Sequence, residues 1–268
     1  LWLYQVPAVA PVDLSSGAEI PVTNLSAGNF IRLTNTLPSR LPVAGSTTVA
    51  PVIANDNRDA SISDDGNFIA FVSNRDLTPC AGTPSATCGN AAPNDNPEIF
   101  TYVRSANIIS QVTATPRGTV ASPTINYNPT VSGTINPITG NMRVAFGSNA
   151  ENPIVGMTGG SNSDRNEEIY YSDLDAIGAP TGARVQVTQT TPANAGDVVN
   201  ILNYGRRMSR DGRYIAFDSF AQLENSGAPI QTSFALYLYD TAEATNQFRR
   251  IGPRSDADSA ATGGDIQH

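Results

Sequence analysis

The chain has 268 residues, of which 40% are hydrophobic and 15% are charged, so it can bury a sizeable core but has few residues for long amphipathic helices. Its 22 Gly and 19 Pro residues predict frequent turns and an all-β fold. The formal net charge of −8 argues against nucleic acid as a partner, because a phosphate backbone would be repelled.

The first residues, Leu1 to Val6, are predicted to form a strand, because they lack the basic flank and long apolar core of a signal peptide. A second strand is predicted at Gly28 to Thr34. Either Leu1 to Val6 or Glu19 to Thr23 could precede it as the neighbouring strand of the same sheet. No apolar run in the chain approaches the roughly 20 residues that a membrane-spanning helix needs, so no transmembrane segment is predicted.

A repeated unit organises the rest of the chain. An apolar segment with a shared Ala-Phe pair occurs three times at a period of about 70 residues. The copies are Asn67 to Ser73, Met142 to Ser148 and Arg213 to Ser219. In the first of them, Phe68, Ala70 and Val72 alternate with Ile69 and Phe71, so both faces of the strand are apolar and both must be covered. Ala70, Ala145 and Ala216 are predicted to be buried at equivalent positions.

Further strands flank each apolar segment. Asp65-Gly66 and Asp211-Gly212 are dipeptides that supply positive φ in a two-residue hairpin, so the strands on either side are predicted to pair antiparallel. The middle copy carries a longer segment, residues 133–140. A third strand follows each apolar segment, and a fourth closes the unit. The third strands are Glu98 to Tyr102, Glu168 to Ser172 and Ala235 to Tyr239. Four antiparallel strands per repeat define a propeller blade.

The segments Ser63 to Arg75 and Asn96 to Phe100 resemble the repeat of TolB-like propellers, and the resemblance extends over nearly the whole chain. It implies an all-β fold, a β-propeller of four-stranded antiparallel blades. It leaves the function open, since propellers of this type serve as periplasmic interaction modules, as surface proteins and as gating domains of prolyl-oligopeptidase-like peptidases.

The repeats divide the chain into blades. Residues 1–34 are predicted to be a partial blade, 35–113, 114–188 and 189–252 full blades, and 253–268 the lead into a further blade. The chain is therefore expected to be a segment of a longer propeller.

Cys80 and Cys88 lie in one polar loop of the first full blade, at a spacing that a local disulfide can close. The alternative is a pair of free thiols. A disulfide would indicate an oxidising compartment, so we expect the chain to lie outside the cytoplasm, in the periplasm, on the cell surface or secreted.

Acidic and amide residues cluster before two of the third strands. Oxygen ligands at this spacing could hold Ca²⁺, although Glu could instead bond backbone amides at the start of the strand while Asp and Asn make turns. The candidate ligands are Asp95, Asn96, Glu98, Asp164, Asn166 and Glu168. The turn interpretation is favoured, so no cofactor is predicted.

A charged cluster that includes Asp56 and Arg58 precedes an innermost strand, and Arg206-Arg207 occupies the matching place in the last full blade. These residues would surround the mouth of a central channel, where a ligand or partner could bind. Alternatively, they bridge neighbouring blades. The long loops at the same end add Asp95 and Asp164 to the predicted binding residues.

The sequence contains a single His, His268. Because Ser and Cys nucleophiles usually need a nearby imidazole base, the chain is predicted to be non-catalytic. The favoured function is an extracytoplasmic module that binds another protein, as a subunit of a larger or membrane-associated complex. The alternative is the propeller domain of a prolyl-oligopeptidase-like serine peptidase whose catalytic domain lies outside this segment.

Overall fold

A computed structural model describes residues 1–6, 28–36, 56–78, 89–90, 96–119, 121–194, 196–225 and 230–251. The chain forms two compact units, Leu1–Asn55 and Asp56–His268. No helix among the described residues is long and apolar enough to span a bilayer.

The first unit contains a two-stranded antiparallel sheet of β1 (Trp2–Gln5) and β2 (Asn29–Arg32). The segment Leu1 to Val6 therefore contains the strand that pairs with the second predicted strand, whereas residues 19–23 lie outside the described residues. The amides of Leu33 and Thr34 both approach the carbonyl of Leu1, at 3.0 and 3.4 Å. In two of the full repeats, two consecutive amides after the fourth strand approach one carbonyl of the third strand in the same way, at Ile99 and at Ile169, so β1 and β2 resemble the third and fourth strands of those repeats.

The second unit contains three four-stranded antiparallel sheets, each built from consecutive strands. Blade A comprises β3 (Asn57–Ile62), β4 (Phe68–Ser73), β5 (Glu98–Val103) and β6 (Ile108–Gln111). Blade B comprises β7 (Asn126–Val131), β8 (Met142–Ser148), β9 (Glu168–Leu174) and β10 (Pro180–Gln186). Blade C comprises β11 (Asn200–Ile201), β12 (Tyr214–Ala221), β13 (Ile230–Asp240) and β14 (Phe248–Ile251). A short 3₁₀ turn covers Leu223–Asn225. These sheets confirm the predicted propeller blades.

Apolar side chains pack the faces of successive blades against each other. One cluster joins Ala70 and Val72 of blade A to Val144 and Phe146 of blade B, and a second joins Ala145 of blade B to residues of blade C. β8 lies between two packed faces, and every residue along β4 and β8 is buried. Small alanine side chains allow the sheets to approach closely at these positions.

The three repeated alanines differ in burial. Ala70 and Ala145 are fully buried, as predicted, but Ala216 is only partly buried. The prediction for Ala216 was therefore wrong. Blade B covers the face that carries Ala70, and blade C covers the face that carries Ala145. Among the described residues, no further blade packs against the face of blade C that carries Ala216.

The β3–β4 and β11–β12 turns are wider than the two-residue hairpins that the Asp-Gly dipeptides predicted. In blade A the closing hydrogen bond joins the Ser63 amide to the Phe68 carbonyl at 2.9 Å, and positive φ occurs at Gly66 alone in that turn. The Ser63 hydroxyl accepts from the Phe68 amide and donates to Asp65. These side-chain bonds stabilise the wider turn, and the predicted antiparallel pairing is confirmed.

Candidate functional site

The first strands of blades A and B bend at the same position of the repeat. Asp59 and Asn128 have positive φ angles of 55° and 49°, and both lie where the pairing with the second strand shifts register. Asp and Asn adopt this backbone conformation more readily than other non-glycine residues. Each bend is a β-bulge that turns the strand away from a regular ladder.

Blade C bends at the corresponding point through an insertion. Its segment from Asn200 to Ser209 is longer than the matching segments of blades A and B. Gly205 takes a φ of 91°, and pairing with β12 resumes at Met208, opposite Ile215. The first strand of each blade, which we call its inner strand, therefore leaves the regular ladder before its hairpin turn.

The three bends line a single recess of about 310 Å³, which we call the inner-strand recess. Tyr204 is 70% exposed and Ile62 is 46% exposed, so an aromatic ring and an aliphatic side chain face the solvent. The lining residues are Asp59, Ala60, Ser61, Ile62, Asn128, Pro129, Tyr204, Gly205 and Arg206.

Hydrogen bonds between blades fix the wall of the recess. The Asn128 side-chain amide donates to the Leu202 carbonyl at 2.7 Å. The hydroxyl of Ser61 accepts from the Val131 amide at 3.0 Å, and the hydroxyl of Thr130 accepts from the Arg207 amide at 3.2 Å. The bends are therefore held by neighbouring blades.

Among the charged side chains that line the recess, Arg206 is more accessible to solvent than Asp59. Arg206 of blade C pairs with Asp64 of blade A at 2.5 Å, and Arg210 pairs with the second oxygen of Asp64 at 2.6 Å. The hydrogen bond from Arg206 holds the pKa of Asp64 below its usual value. The Arg206 side chain is 47% exposed, whereas the acidic lining residue Asp59 is 14% exposed and pairs with Arg58.

The structure distributes the predicted binding residues over several places. Arg206 lines the recess. Asp56 and Arg58 pair with each other at the start of β3, and Arg207 lies at the end of the blade C insertion. Asp164 is exposed in the loop before β9. Asp95 lies outside the described residues. The ion pair between Arg206 and Asp64 joins blades C and A, which are not consecutive in the chain.

Two of the calcium candidates of blade A, Asn96 and Glu98, belong to a network that joins two blades. Glu98 is buried and accepts hydrogen bonds from the Thr113 hydroxyl, from the amide and hydroxyl of Thr115, and from the side-chain amides of Asn96 and Asn126. Burial raises the pKa of Glu98 to about 7, against hydrogen bonds that favour the ionised form. We call this network the interblade lock.

Asn166 and Glu168 form the same lock between blades B and C, whereas the third candidate in this part of the chain, Asp164, is exposed. Glu168 accepts from the side-chain amides of Asn166 and Asn200, each at 3.0 Å, and from the amide and hydroxyl of Thr190. Burial raises the pKa of Glu168 as well. Within the described ranges, no group of three or more His, Cys, Asp or Glu residues is placed to hold a metal ion.

Sequence reasoning missed the residues that complete both sites. The recurring asparagines Asn57, Asn126 and Asn200 start each first strand, and the Thr-x-Thr segments at 113–115 and 188–190 follow the fourth strands. Aligning the repeats beyond their apolar segments would have found them. Tyr204 has no counterpart in the other repeats, so repetition carries no signal for it.

Cys80 and Cys88 lie outside the described residues, and their disulfide stays a prediction.

No protein-family model matches the sequence, and no curated protein matches it. Among solved structures, the chain is similar to TolB from Acinetobacter baumannii, with 16% identity, a TM-score of 0.35 and coverage of 76% of this chain and 34% of that one. It is also similar to an acylaminoacyl peptidase in complex with a chloromethyl ketone, with 10% identity, a TM-score of 0.36 and coverage of 75% of this chain and 26% of that one. A third similar structure is the tricorn protease, with 13% identity, a TM-score of 0.36 and coverage of 84% of this chain and 20% of that one. The chain thus spans about a third or less of the length of these proteins.

Proposed function

We propose that the chain is a non-catalytic propeller module outside the cytoplasm, and that it binds a partner protein at the inner-strand recess as a subunit of a larger assembly. The observation that carries this proposal is the convergence of three bends, at Asp59, Asn128 and Gly205, on one recess. At Asp59 and Asn128 the positive φ is a strained conformation, which costs a non-glycine residue roughly 1 to 2 kcal/mol. Backbone strain of this kind is concentrated at functional sites.

The side chains of the recess support protein binding. Tyr and Arg are enriched among the residues that contribute most to protein interfaces, and Tyr204 and Arg206 both lie in the lining. The hydrogen bonds between blades hold the strands before a partner arrives, which reduces the entropy lost on binding. The recess is therefore suited to bind a protruding segment of another protein.

A pull-down from the native source tests the binding site. We expect Tyr204→Ala and Arg206→Gln to release the partner that the unaltered chain retains. Arg249→Gln is the matched control, because Arg249 is exposed on β14 and lies outside the recess. If the recess variants kept the partner while substitutions at Asp56 and Asp164 released it, the partner would instead bind at the surface around those two residues.

The non-catalytic part of the proposal has a separate test. The purified chain should not turn over peptide or glycan substrates, and turnover that survives removal of His268 would contradict the proposal. The peptidase alternative instead predicts a Gly-x-Ser-x-Gly nucleophile elbow downstream in the full-length gene. For the compartment, thiol titration of the native protein should find neither Cys80 nor Cys88 reactive.

A further inference from the structure

We infer that the inner-strand recess takes an extended peptide segment in which an apolar side chain lies next to a carboxylate. This inference rests on the proposed function and specifies the chemistry of the partner at the same site. It follows from three features of the recess: its apolar wall, its interrupted strands and its accessible guanidinium group.

The apolar wall defines the first half of the ligand. Ile62, Pro129 and Tyr204 contribute aliphatic and aromatic surface to the lining, and exposed apolar surface of this kind favours an apolar ligand group. A volume of about 310 Å³ lies at the lower end of the range for ligand pockets. The recess therefore suits one large side chain with its adjoining backbone.

The bulges favour a ligand whose backbone is extended on either side of its apolar side chain. Asp59 and Ala60 have no partner in the β3–β4 ladder, whose pairing passes from Arg58 to Ser61. The β7–β8 ladder likewise omits Asn128 and Pro129. A bulge leaves backbone polar groups outside the sheet ladder, and extended peptides are commonly bound through such groups.

The charges of the recess indicate whether the ligand residue next to the apolar side chain is acidic or basic. A guanidinium group has five N–H donors, and the bond to Asp64 is the one hydrogen bond that Arg206 makes within the described part of the chain. Its remaining donors can bind a carboxylate. Asp59, by contrast, is largely covered and accepts a hydrogen bond from Arg58 at 3.1 Å. A basic ligand would find no comparably accessible partner in the recess.

Fluorescence anisotropy tests the inference with a short fluorescein-labelled peptide that contains a Leu-Glu pair flanked by glycine. Matched peptides carry Gln or Lys in place of Glu, or Ser in place of Leu. We expect saturable binding of the Leu-Glu peptide and binding about tenfold weaker for the Gln peptide. The Ser and Lys peptides should bind more weakly still.

Variants of the chain connect this preference to the recess. Arg206→Gln should weaken binding of the Leu-Glu peptide about tenfold and leave binding of the Leu-Gln peptide unchanged, because only the former loses a charged partner. Tyr204→Ala should weaken both, and Arg249→Gln neither. The inference would be overturned if the Lys peptide bound as tightly as the Leu-Glu peptide, or if Arg206→Gln bound the Leu-Glu peptide as tightly as the unaltered chain does. The absence of saturable binding would overturn it as well. If the peptide experiments failed but Tyr204→Ala still released the native partner in the pull-down, the inference about the peptide would be wrong and the proposed function would stand.

Discussion

Asn126 on the first strand of blade B donates a hydrogen bond to Glu98 on the third strand of blade A, with 3.0 Å between Nδ2 and Oε2. Asn200 and Glu168 repeat this relationship between blades B and C at the same distance. In blade C, Ala235 occupies the position of the two glutamates, opposite Ser219. The lock is therefore present at both junctions between described blades, and its carboxylate is missing from blade C.

Asn126→Ala should lower the free energy of unfolding by about 1 to 3 kcal/mol, because Glu98 loses a donor while it stays buried. Urea denaturation gives the measurement. Gln189→Ala is the control, since Gln189 is exposed between two lock threonines, and its effect should stay within about 0.5 kcal/mol. Equal stability of Asn126→Ala and the unaltered chain would show that the lock contributes nothing.

The contribution of Glu98 to the stability of the chain should rise as the pH falls from about 7 towards 4.5. The pKa of Glu98 is about 7 in the folded state against an ordinary value of 4.5, so in this window the folded chain binds a proton that the unfolded chain does not. The free energy of unfolding then decreases with rising pH, by up to about 3 kcal/mol across the window from this group. Glu168 acts in the same direction.

Glu98→Gln separates this contribution from that of other groups. The variant cannot titrate at this position, so its stability should change less steeply between pH 4.5 and 7 than that of the unaltered chain. Denaturation curves recorded across this window provide the comparison. An identical slope for both proteins would mean that Glu98 keeps its ordinary pKa when folded.

Arg143 forms a buried ion pair within blade B and also donates hydrogen bonds across the junction to blade C. Its Nε lies 2.6 Å from Asp173, and its Nη1 donates to the Gly212 carbonyl and the Thr241 hydroxyl of blade C. Arg143→Met should cost about 3 to 5 kcal/mol of unfolding free energy, because Asp173 is left buried and unpaired. Arg210→Gln is the matched control, as the Arg210 side chain is 73% exposed. Similar thermal midpoints for the two variants would contradict the prediction.

The blades could be predicted from the sequence because their apolar periodicity repeats. Phe71 and Phe100, for example, stack across neighbouring strands in blade A, and Phe146 and Tyr170 do so in blade B. The recess could not be predicted in the same way, since it depends on side chains from three blades. Arg206 was identified from its charge, but the role of Tyr204 depends on an insertion that breaks the repeat.

Replacing the repeated alanines with leucine should distinguish covered from uncovered blade faces. Ala70→Leu and Ala145→Leu add volume to packed junctions, so each should lower the free energy of unfolding by about 1 to 3 kcal/mol. Ala216→Leu should cost less, because Ala216 is only partly buried. Chemical denaturation of the three variants gives the comparison. If Ala216→Leu were as destabilising as the other two, the face of blade C that carries Ala216 would be packed in solution as tightly as those of blades A and B.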